Sequence, residues 1–240
     1  MSATLPAGGT RATARGTAPG IPRALERRLD DLEITLVGAG RSGSFITLVL
    51  AMLGLRVRVY DPDFLGPENQ GRQLYRRCDV QARRSKVRAL RQVVRSIVPW
   101  ARITTHETAF TGHPEQQRNA IVVIAVDTML ARRRIWEALR ERASLLLLVD
   151  VRLGPGQVRL HEVRFDTAGD VEDYEASLHA DPVDEVAACT EETSAHAAAA
   201  AAALVAGAIA GWHDGRPRSR WVAVDLDRSQ WAASPARAES

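Results

Sequence analysis

Two short fingerprints stand in series near the front of the chain and constrain its fold more than any other feature. The first is ITLVGAGRSGS, from Ile34 to Ser44. An apolar strand, a glycine turn and a helix start, in that order, build a nucleotide-binding corner. Gly38 permits the tight turn, Gly40 lets phosphate approach the backbone, and Gly43 lets the helix pack closely on the sheet. The helix N-terminus offers free N–H groups and a positive dipole end to phosphate. Alone, this motif does not separate NAD from ATP. The second fingerprint is YDPDFLGPENQGRQ, from Tyr60 to Gln73. Asp61 stands roughly 20 residues past the glycines, where a carboxylate can accept from ribose hydroxyls. Asp63, Asn69, Arg72 and Gln73 exceed what ribose binding requires. They place charged and amide groups around a phosphate site, and Arg72 can grip phosphate oxygens with a planar fork. That set favours adenylyl transfer over hydride transfer.

Hydrophobic periodicity sets the organisation. Buried or alternating strands are expected at Glu33–Val37, Arg56–Tyr60, Arg102–Glu107, Ala120–Val126 and Leu145–Val151. Helices are expected at Ser42–Leu53, Gln81–Ile97 and Leu130–Arg142. Residues 61–78 read as loop. Gln157–Phe165 reads as a hairpin partner of the preceding strand, with a bulge near His161 where the alternation slips. Asp166–Ala188 is acidic and reads as a loop or a short helix. Thr193–Gly211 is an Ala-rich helix, and Trp221–Leu226 a last strand. Strands alternating with helices predict an α/β fold: a Rossmann-like, doubly wound, mostly parallel sheet with an antiparallel extension in the second half.

A chain of 240 residues, 45% hydrophobic and 25% charged, can bury a full globular core. The net charge of +3 is too small to imply a chain-wide nucleic-acid surface. Several of the surplus arginines, among them Arg11 and Arg15, sit near the start of the chain. Two cysteines cannot form a disulfide framework or an all-cysteine zinc site, which points to a reducing cytoplasm. Residues 1–20 lack the apolar core of a signal peptide. The apolar run Ala195–Trp212 is short for a membrane span and reads as a buried helix, so no membrane partner is expected.

Three further positions carry chemistry. Lys86 is the only lysine in the chain, near the start of an arginine-studded helix. It can neutralise charge on a transferring phosphoryl group, or simply face solvent. Asp127 ends the strand Ala120–Val126, at the carboxyl edge where such sheets bind ligands. It can hold magnesium, cap the following helix, or both. Cys189 precedes the Ala-rich helix, whose N-terminus favours a thiolate while Glu191 and Glu192 oppose one. Cys78 is a weaker thiol candidate. His161 reads as a surface strand residue, and His196 as a helix-surface residue or a partner of Cys189.

In combination these residues resemble the ThiF/MoeB/HesA group, relatives of the ubiquitin-activating enzymes. The likeness runs from about Ile34 to Gly211. It rests on GAGRSG, then D-P-D with N-Q-G-R-Q, then Lys86, Asp127 and Arg132 in order. The resemblance implies adenylation of the C-terminal carboxylate of a small ubiquitin-like or sulfur-carrier protein ending in glycine, with ATP and magnesium. Carried over residue by residue, Asp61 is the ribose acid, and Arg72 and Lys86 are phosphate-contacting cations. Asp127 is the magnesium-binding and catalytic aspartate. Cys189 falls where a family thiol sits, serving a transfer step after activation. The resemblance also implies a homodimer, which Trp136, Trp212 and Trp221 support, since one core does not obviously hold all three. Residues 1–22, rich in Ala, Gly, Thr and Pro with no apolar period, read as a disordered tail, ahead of an adenylation domain at 23–230 and a flexible tail at 231–240. The Cys-x-x-Cys pairs that hold zinc in many members are missing, so no zinc is expected. Only Arg23, Arg27 and Arg28 could replace the arginine that members present to a partner subunit. Gly40-Arg41 replaces the usual Gly-Gly. Two alternatives stay open: a degenerate binding module that keeps the fold without turnover, and an NAD-dependent oxidoreductase, in which the Arg-Gln loop has no role.

Overall fold

The computed structural model describes residues 32–71, 73–112, 121–140, 144–179, 195–216 and 218–235. Within them run β1 (Glu33–Val37), α1 (Arg41–Met52), β2 (Arg56–Tyr60), α2 (Arg77–Gln81), α3 (Lys86–Ile97), β3 (Ile103–His106) and β4 (Ile121–Ile124). The second half adds α4 (Met129–Leu139), β5 (Leu147–Gly154), β6 (Gln157–Arg164), α5 (Asp170–His179), α6 (Ala195–His213), β7 (Trp221–Asp225) and β8 (Gln230–Ala233). One sheet of eight strands has the order β3-β2-β1-β4-β5-β6-β7-β8. The pairs from β3 to β5 are parallel, and those from β5 to β8 antiparallel. This is the expected doubly wound sheet with an antiparallel extension. The chain moves outward in one direction from β1 through β2 and β3, then returns to place β4 and β5 on the other side of β1. The switch point therefore lies between β1 and β4, where such sheets open a crevice for ligands.

Both faces of the central strands are covered. On one, Ile34, Leu36, Val57 and Val59 pack with Ile46 and Leu50 of α1, Leu90 and Val94 of α3, and Ala201 and Val205 of α6. On the other, Val122, Ile124 and Leu148 meet Ile135, Trp136 and Leu139 of α4 and Tyr174 of α5. Each such Val, Leu or Ile side chain, removed from water, contributes about 1.5–3 kcal/mol before chain entropy is counted. The alanine run has a packing reason: its methyl-sized face lets α6 lie close on α1 and the sheet. By length and composition α6 could cross a membrane, but Ala197, Ala201, Ala202 and Val205 are fully buried in this core.

Four sequence expectations change. The helix expected at Gln81–Ile97 is two helices, broken where Arg83 takes φ 47°, a left-handed conformation that no helix can run through. The hairpin has no bulge, for the β5–β6 register runs unbroken from Leu147↔Arg164 to Gly154↔Gln157. The phase does not slip at His161; a second face becomes buried there. His161 is accordingly 8% exposed, stacked edge-on to Tyr174, and not a surface residue. The chain from 231 is not all tail: Gln230–Ala233 is a strand paired with β7. Of the two readings of the acidic segment, the helix holds over Asp170–His179.

Candidate functional site

The turn after β1 is built around two glycines that no other residue could replace without strain. Gly38 has φ 100°, and a Cβ there would stand 2.5 Å from the Ala125 carbonyl oxygen. A Cβ on Gly43 would stand 2.0 Å from the Gly38 carbonyl oxygen, so α1 meets its own turn with no room for a methyl group. Gly40 differs: a Cβ there would meet nothing within 4 Å. The space over Gly40 is the mouth of a cleft of about 1530 Å³.

Asp61 fastens the two fingerprints together. Its Oδ2 accepts from the Ala39 N–H at 2.7 Å and its Oδ1 from the Asp63 N–H at 2.8 Å. Burial pushes its pKa up, against the pull of those N–H groups and of Lys86. Each oxygen keeps a second lone pair for a ligand hydroxyl, but the visible work of Asp61 is to hold the glycine loop. Tyr75 supports the same loop from the other side, donating its phenol O–H to the Ala39 carbonyl. Burial holds that phenol well above its usual pKa.

The helix break after α2 places Lys86. Leu65 N–H donates to the Arg84 carbonyl at 2.8 Å, and Lys86 N–H donates to the Asp63 carbonyl at 2.9 Å. Lys86 Nζ then reaches Asp63 Oδ2 at 2.7 Å. Burial pulls the ammonium pKa down, but the bond to Asp63 and the charges of Asp61, Asp63 and Asp127 outweigh it and raise it overall. Lys86 is a fixed cation. Asn69 is buried and turned inward, its Oδ1 accepting from the Gly66 N–H at 2.8 Å, so in this structure it braces the loop. Gln73 lines the cleft, and its buried Oε1 has no hydrogen-bond partner among the described residues.

Asp127 follows β4 across the switch point and is exposed in the cleft. The cap of α4 is Thr128, whose side chain accepts from the Ala131 N–H at 3.2 Å. Asp127 is thereby relieved of the capping role left open in the sequence. Behind it, Arg132 is 3% exposed and donates to Asp150 Oδ1 at 2.7 Å and to the Val126 and Val151 carbonyls at 2.8 and 3.0 Å. Burial alone would raise the Asp150 pKa, but Arg132, Arg152 and His161 hold it below the usual carboxylate range. This clamp ties the ends of β4 and β5 together, so it shapes the cleft floor.

The cleft brings together Gly38, Gly40, Asp61, Asp63, Asn69, Gln73, Lys86 and Asp127. Gly43 stands behind it as packing. Arg72 and Cys189 lie outside the described residues. Sequence reasoning missed Tyr75 and Asp150. Tyr75 could have been flagged as an aromatic inside a polar loop; Arg152 stands two residues from Asp150 on the same strand face, but nothing near Asp150 in the chain announces its other partner, Arg132. Cys78 is exposed at the start of α2, and His196 Nε2 lies 3.7 Å from Asp227 Oδ1, on the exposed side of α6.

A family model for the ThiF family matches residues 14–235, nearly the whole chain. The chain belongs to the ThiF family. A comparison with curated proteins gives no match. Among solved structures, this ThiF-family chain is similar to PaaA, with TM-score 0.68 and 19% identity over 88% of this chain and 75% of that one. It is also similar to Escherichia coli MccB recorded with ATP, with TM-score 0.67 and 14% identity over 88% of this chain and 66% of that one. MccB recorded with MccA gives TM-score 0.65 and 14% identity, over 89% and 66%. The chain thus spans a little under two thirds of MccB's length, and at these identities the likeness shows a shared fold.

Proposed function

We propose that this ThiF-family chain is an ATP-dependent adenylyltransferase that activates the carboxylate of a small protein or peptide. A carboxylate oxygen of the acceptor attacks the α-phosphorus of ATP. The new C–O–P bond forms as the bond from that phosphorus to the β-phosphate bridging oxygen breaks, and pyrophosphate leaves with the electron pair. The observation that carries the reading is the placement of Lys86. It is a buried-stem ammonium locked to Asp63 and facing Asp127, across a cleft whose glycine loop is open at Gly40. A fixed cation where charge builds on phosphate oxygens needs no reorganisation during reaction.

The donor set fits ATP with magnesium. The N-terminus of α1 and the open Gly40 accept phosphate, and the orphaned Gln73 oxygen offers an acceptor to a ligand N–H or O–H. Among the described residues no three His, Cys, Asp or Glu side chains converge to hold a metal unaided. Magnesium at Asp127 would take its other ligands from phosphate and water. Its chemistry there is to neutralise charge on the triphosphate. Arg72 belongs to the same proposal as a second phosphate cation, Asp61 as the ribose acid, and Cys189 as a residue needed only after activation.

The acceptor takes one of two forms. One is the ubiquitin-like or sulfur-carrier protein ending in glycine that the family resemblance implies. The other is a short peptide, such as the MccA with which MccB is recorded. A homodimer is part of this reading, supported by exposed Trp100, Trp231 and Leu130 and no longer by Trp136 and Trp212, which pack into the chain's own two cores; a monomer in sedimentation at micromolar concentration would refute it. Calorimetric titration is expected to show ATP binding with magnesium and no useful affinity for NAD. Pyrophosphate exchange into ATP is expected with the right acceptor, and Cys189→Ala should retain it. NAD binding without ATP binding would overturn the proposal.

A further inference from the structure

Ala39 stands between two peptide units, each held by a side chain of the second fingerprint or of the residues just after it. The N–H of the Gly38–Ala39 unit donates to Asp61 Oδ2 at 2.7 Å. The carbonyl of the Ala39–Gly40 unit accepts from the Tyr75 phenol O–H. A trans peptide unit is planar, and its C=O and N–H point in opposite directions. No cis peptide bond occurs among the described residues. Fixing the Ala39 carbonyl therefore fixes the Gly40 N–H. The carbonyl points toward Tyr75, whose ring packs behind the loop with Leu65, Val80 and Ala89. The Gly40 N–H points the other way. Gly40 lines the cleft and Tyr75 does not. No group among the described residues accepts from that N–H.

The glycine that makes room for phosphate also loosens this unit. Turning the Ala39–Gly40 peptide over would carry φ of Gly40 from −71° into the positive region, which glycine enters about as readily as the negative one. The flipped unit would present a carbonyl oxygen to the cleft, and that oxygen repels the anion that an N–H attracts. Tyr75 opposes the flip, because turning the carbonyl away would leave the packed phenol without its acceptor. Burial and the charges of Asp61 and Asp63 hold the phenol well above its usual pKa, so at neutral pH the O–H is the donor. Tyr75 is itself held in place. Its N–H donates to the Gln73 carbonyl at 2.8 Å, and the neighbouring Leu74 N–H reaches Ser44 Oγ at 3.4 Å. The segment after the second fingerprint is thereby fastened to the first turn of α1.

We infer that Tyr75 is a positioning residue of the phosphate cradle: its O–H holds the Ala39–Gly40 peptide in the orientation that presents the Gly40 N–H to the triphosphate. The inference rests on the adenylyltransferase reading and adds a residue to that same site. The phenol touches neither the nucleotide nor the reacting atoms. It acts through one backbone group, which is then in place before the anion arrives and needs no reorganisation to receive it. Phenylalanine at this position would fill the same space and leave the peptide free to turn, so the O–H and the ring can be tested apart.

The test uses the full chain, Tyr75→Phe, and three ligands measured by calorimetry: ATP with magnesium, tripolyphosphate and adenosine. In Tyr75→Phe the affinities for ATP and tripolyphosphate are expected to fall roughly tenfold, the loss of one hydrogen bond to a charged group. Adenosine affinity should not change, because the variant removes nothing from the ribose end of the site. A purely structural role for Tyr75 would weaken all three ligands together or none of them. A second measurement needs no variant at position 75. In the wild-type chain with nitrogen-15 in its glycines, the Gly40 amide is identified by its absence from the Gly40→Ala spectrum. Tripolyphosphate should move that signal downfield while the distant Gly207 and Gly215 signals stay in place. Should Tyr75→Phe not fold, this spectrum decides the matter. Unaltered ATP affinity in Tyr75→Phe, equal weakening of adenosine, or a Gly40 signal that ignores tripolyphosphate would overturn the inference while ATP binding by the wild-type chain left the adenylyltransferase reading standing. Failure of the wild-type chain to bind ATP would fell that reading instead.

Discussion

Gly40 and Gly43 are three residues apart in one motif, and the structure assigns them opposite reasons for being glycine. Alanine at each position separates the two. At Gly43 the added methyl group would stand 2.0 Å from the Gly38 carbonyl oxygen, where ordinary contact needs more than 3 Å. The obstacle is backbone, fixed in turn by the Gly38 N–H bond to the Tyr60 carbonyl at 2.9 Å. Relief requires α1 or the turn to move by about 1 Å, a core overpacking that costs about 1–3 kcal/mol. In a chain of this size that lowers Tm by roughly 2–12 °C. At Gly40 the methyl group meets no protein atom, and φ −71° suits any residue. Chain-entropy loss in the unfolded state favours alanine, while alanine's weakness as the N-cap of α1 opposes it, so stability should change by less than about 1 kcal/mol. The methyl group instead occupies the space over the loop, where phosphate must approach. Thermal unfolding and ATP calorimetry on both variants decide the matter. The expected pattern is a stable Gly40→Ala chain with ATP affinity lowered at least about tenfold, or 1.4 kcal/mol, and a destabilised Gly43→Ala chain. Unaltered ATP binding by Gly40→Ala would refute the phosphate cradle, and an undiminished Tm for Gly43→Ala would refute the packing argument.

Two more outcomes are expected. Asp127→Ala and Lys86→Ala should each abolish pyrophosphate exchange with little change in Tm, whereas Thr128→Ala should cost about 1 kcal/mol of stability through the lost cap and leave exchange in place; the paired melt and exchange assay reads both. The second outcome concerns pH. Burial holds His161 down at about 4 against its ordinary 6.5, so its contribution to stability is lost as pH falls from about 6.5 to 4. Burial pushes Glu162 up from 4.5 to about 7, so its contribution is lost as pH rises through that window. Each term is on the order of 3 kcal/mol and they oppose. His161→Gln leaves Glu162 alone, so denaturant titrations should show stability falling more steeply from pH 5 to pH 7 than in the wild-type chain; an unchanged profile would refute the argument.

The parallel half of the fold was legible in the sequence because its strands follow local apolar patterns: β1 and β4 are buried almost throughout, and β2 alternates around Val57 and Val59. Glu33–Val37 and Arg56–Tyr60 begin and end where the apolar pattern says, and the glycine turn between β1 and α1 is fixed by contacts only a few residues apart. Legibility failed where a long-range contact overrode a local pattern. The amphipathic stretch from Gln81 onward carries helical periodicity throughout, yet the backbone breaks at Arg83 because Leu65 and Asp63 bond to Arg84 and Lys86. His161 failed for the same reason: alternation reports one buried face, and the second comes from Tyr174 on α5.

The site divides along the same line. Much of its nucleotide half is written in two contiguous segments, which nominate Gly40 and Asp61; Lys86 and Asp127 were nominated singly, as the chain's only lysine and as a strand-end carboxylate, and the cleft gathers all four. What those segments could not reveal is which side chains are already occupied. Asp61 holds two backbone N–H groups, Asn69 holds Gly66, and Thr128 takes the cap that would have engaged Asp127. The antiparallel extension is written contiguously nowhere: Arg152, Arg159, Ala223 and Ala232 come to one face only through the register of four strands, and a shift of one residue in any of them would turn its member to the opposite face.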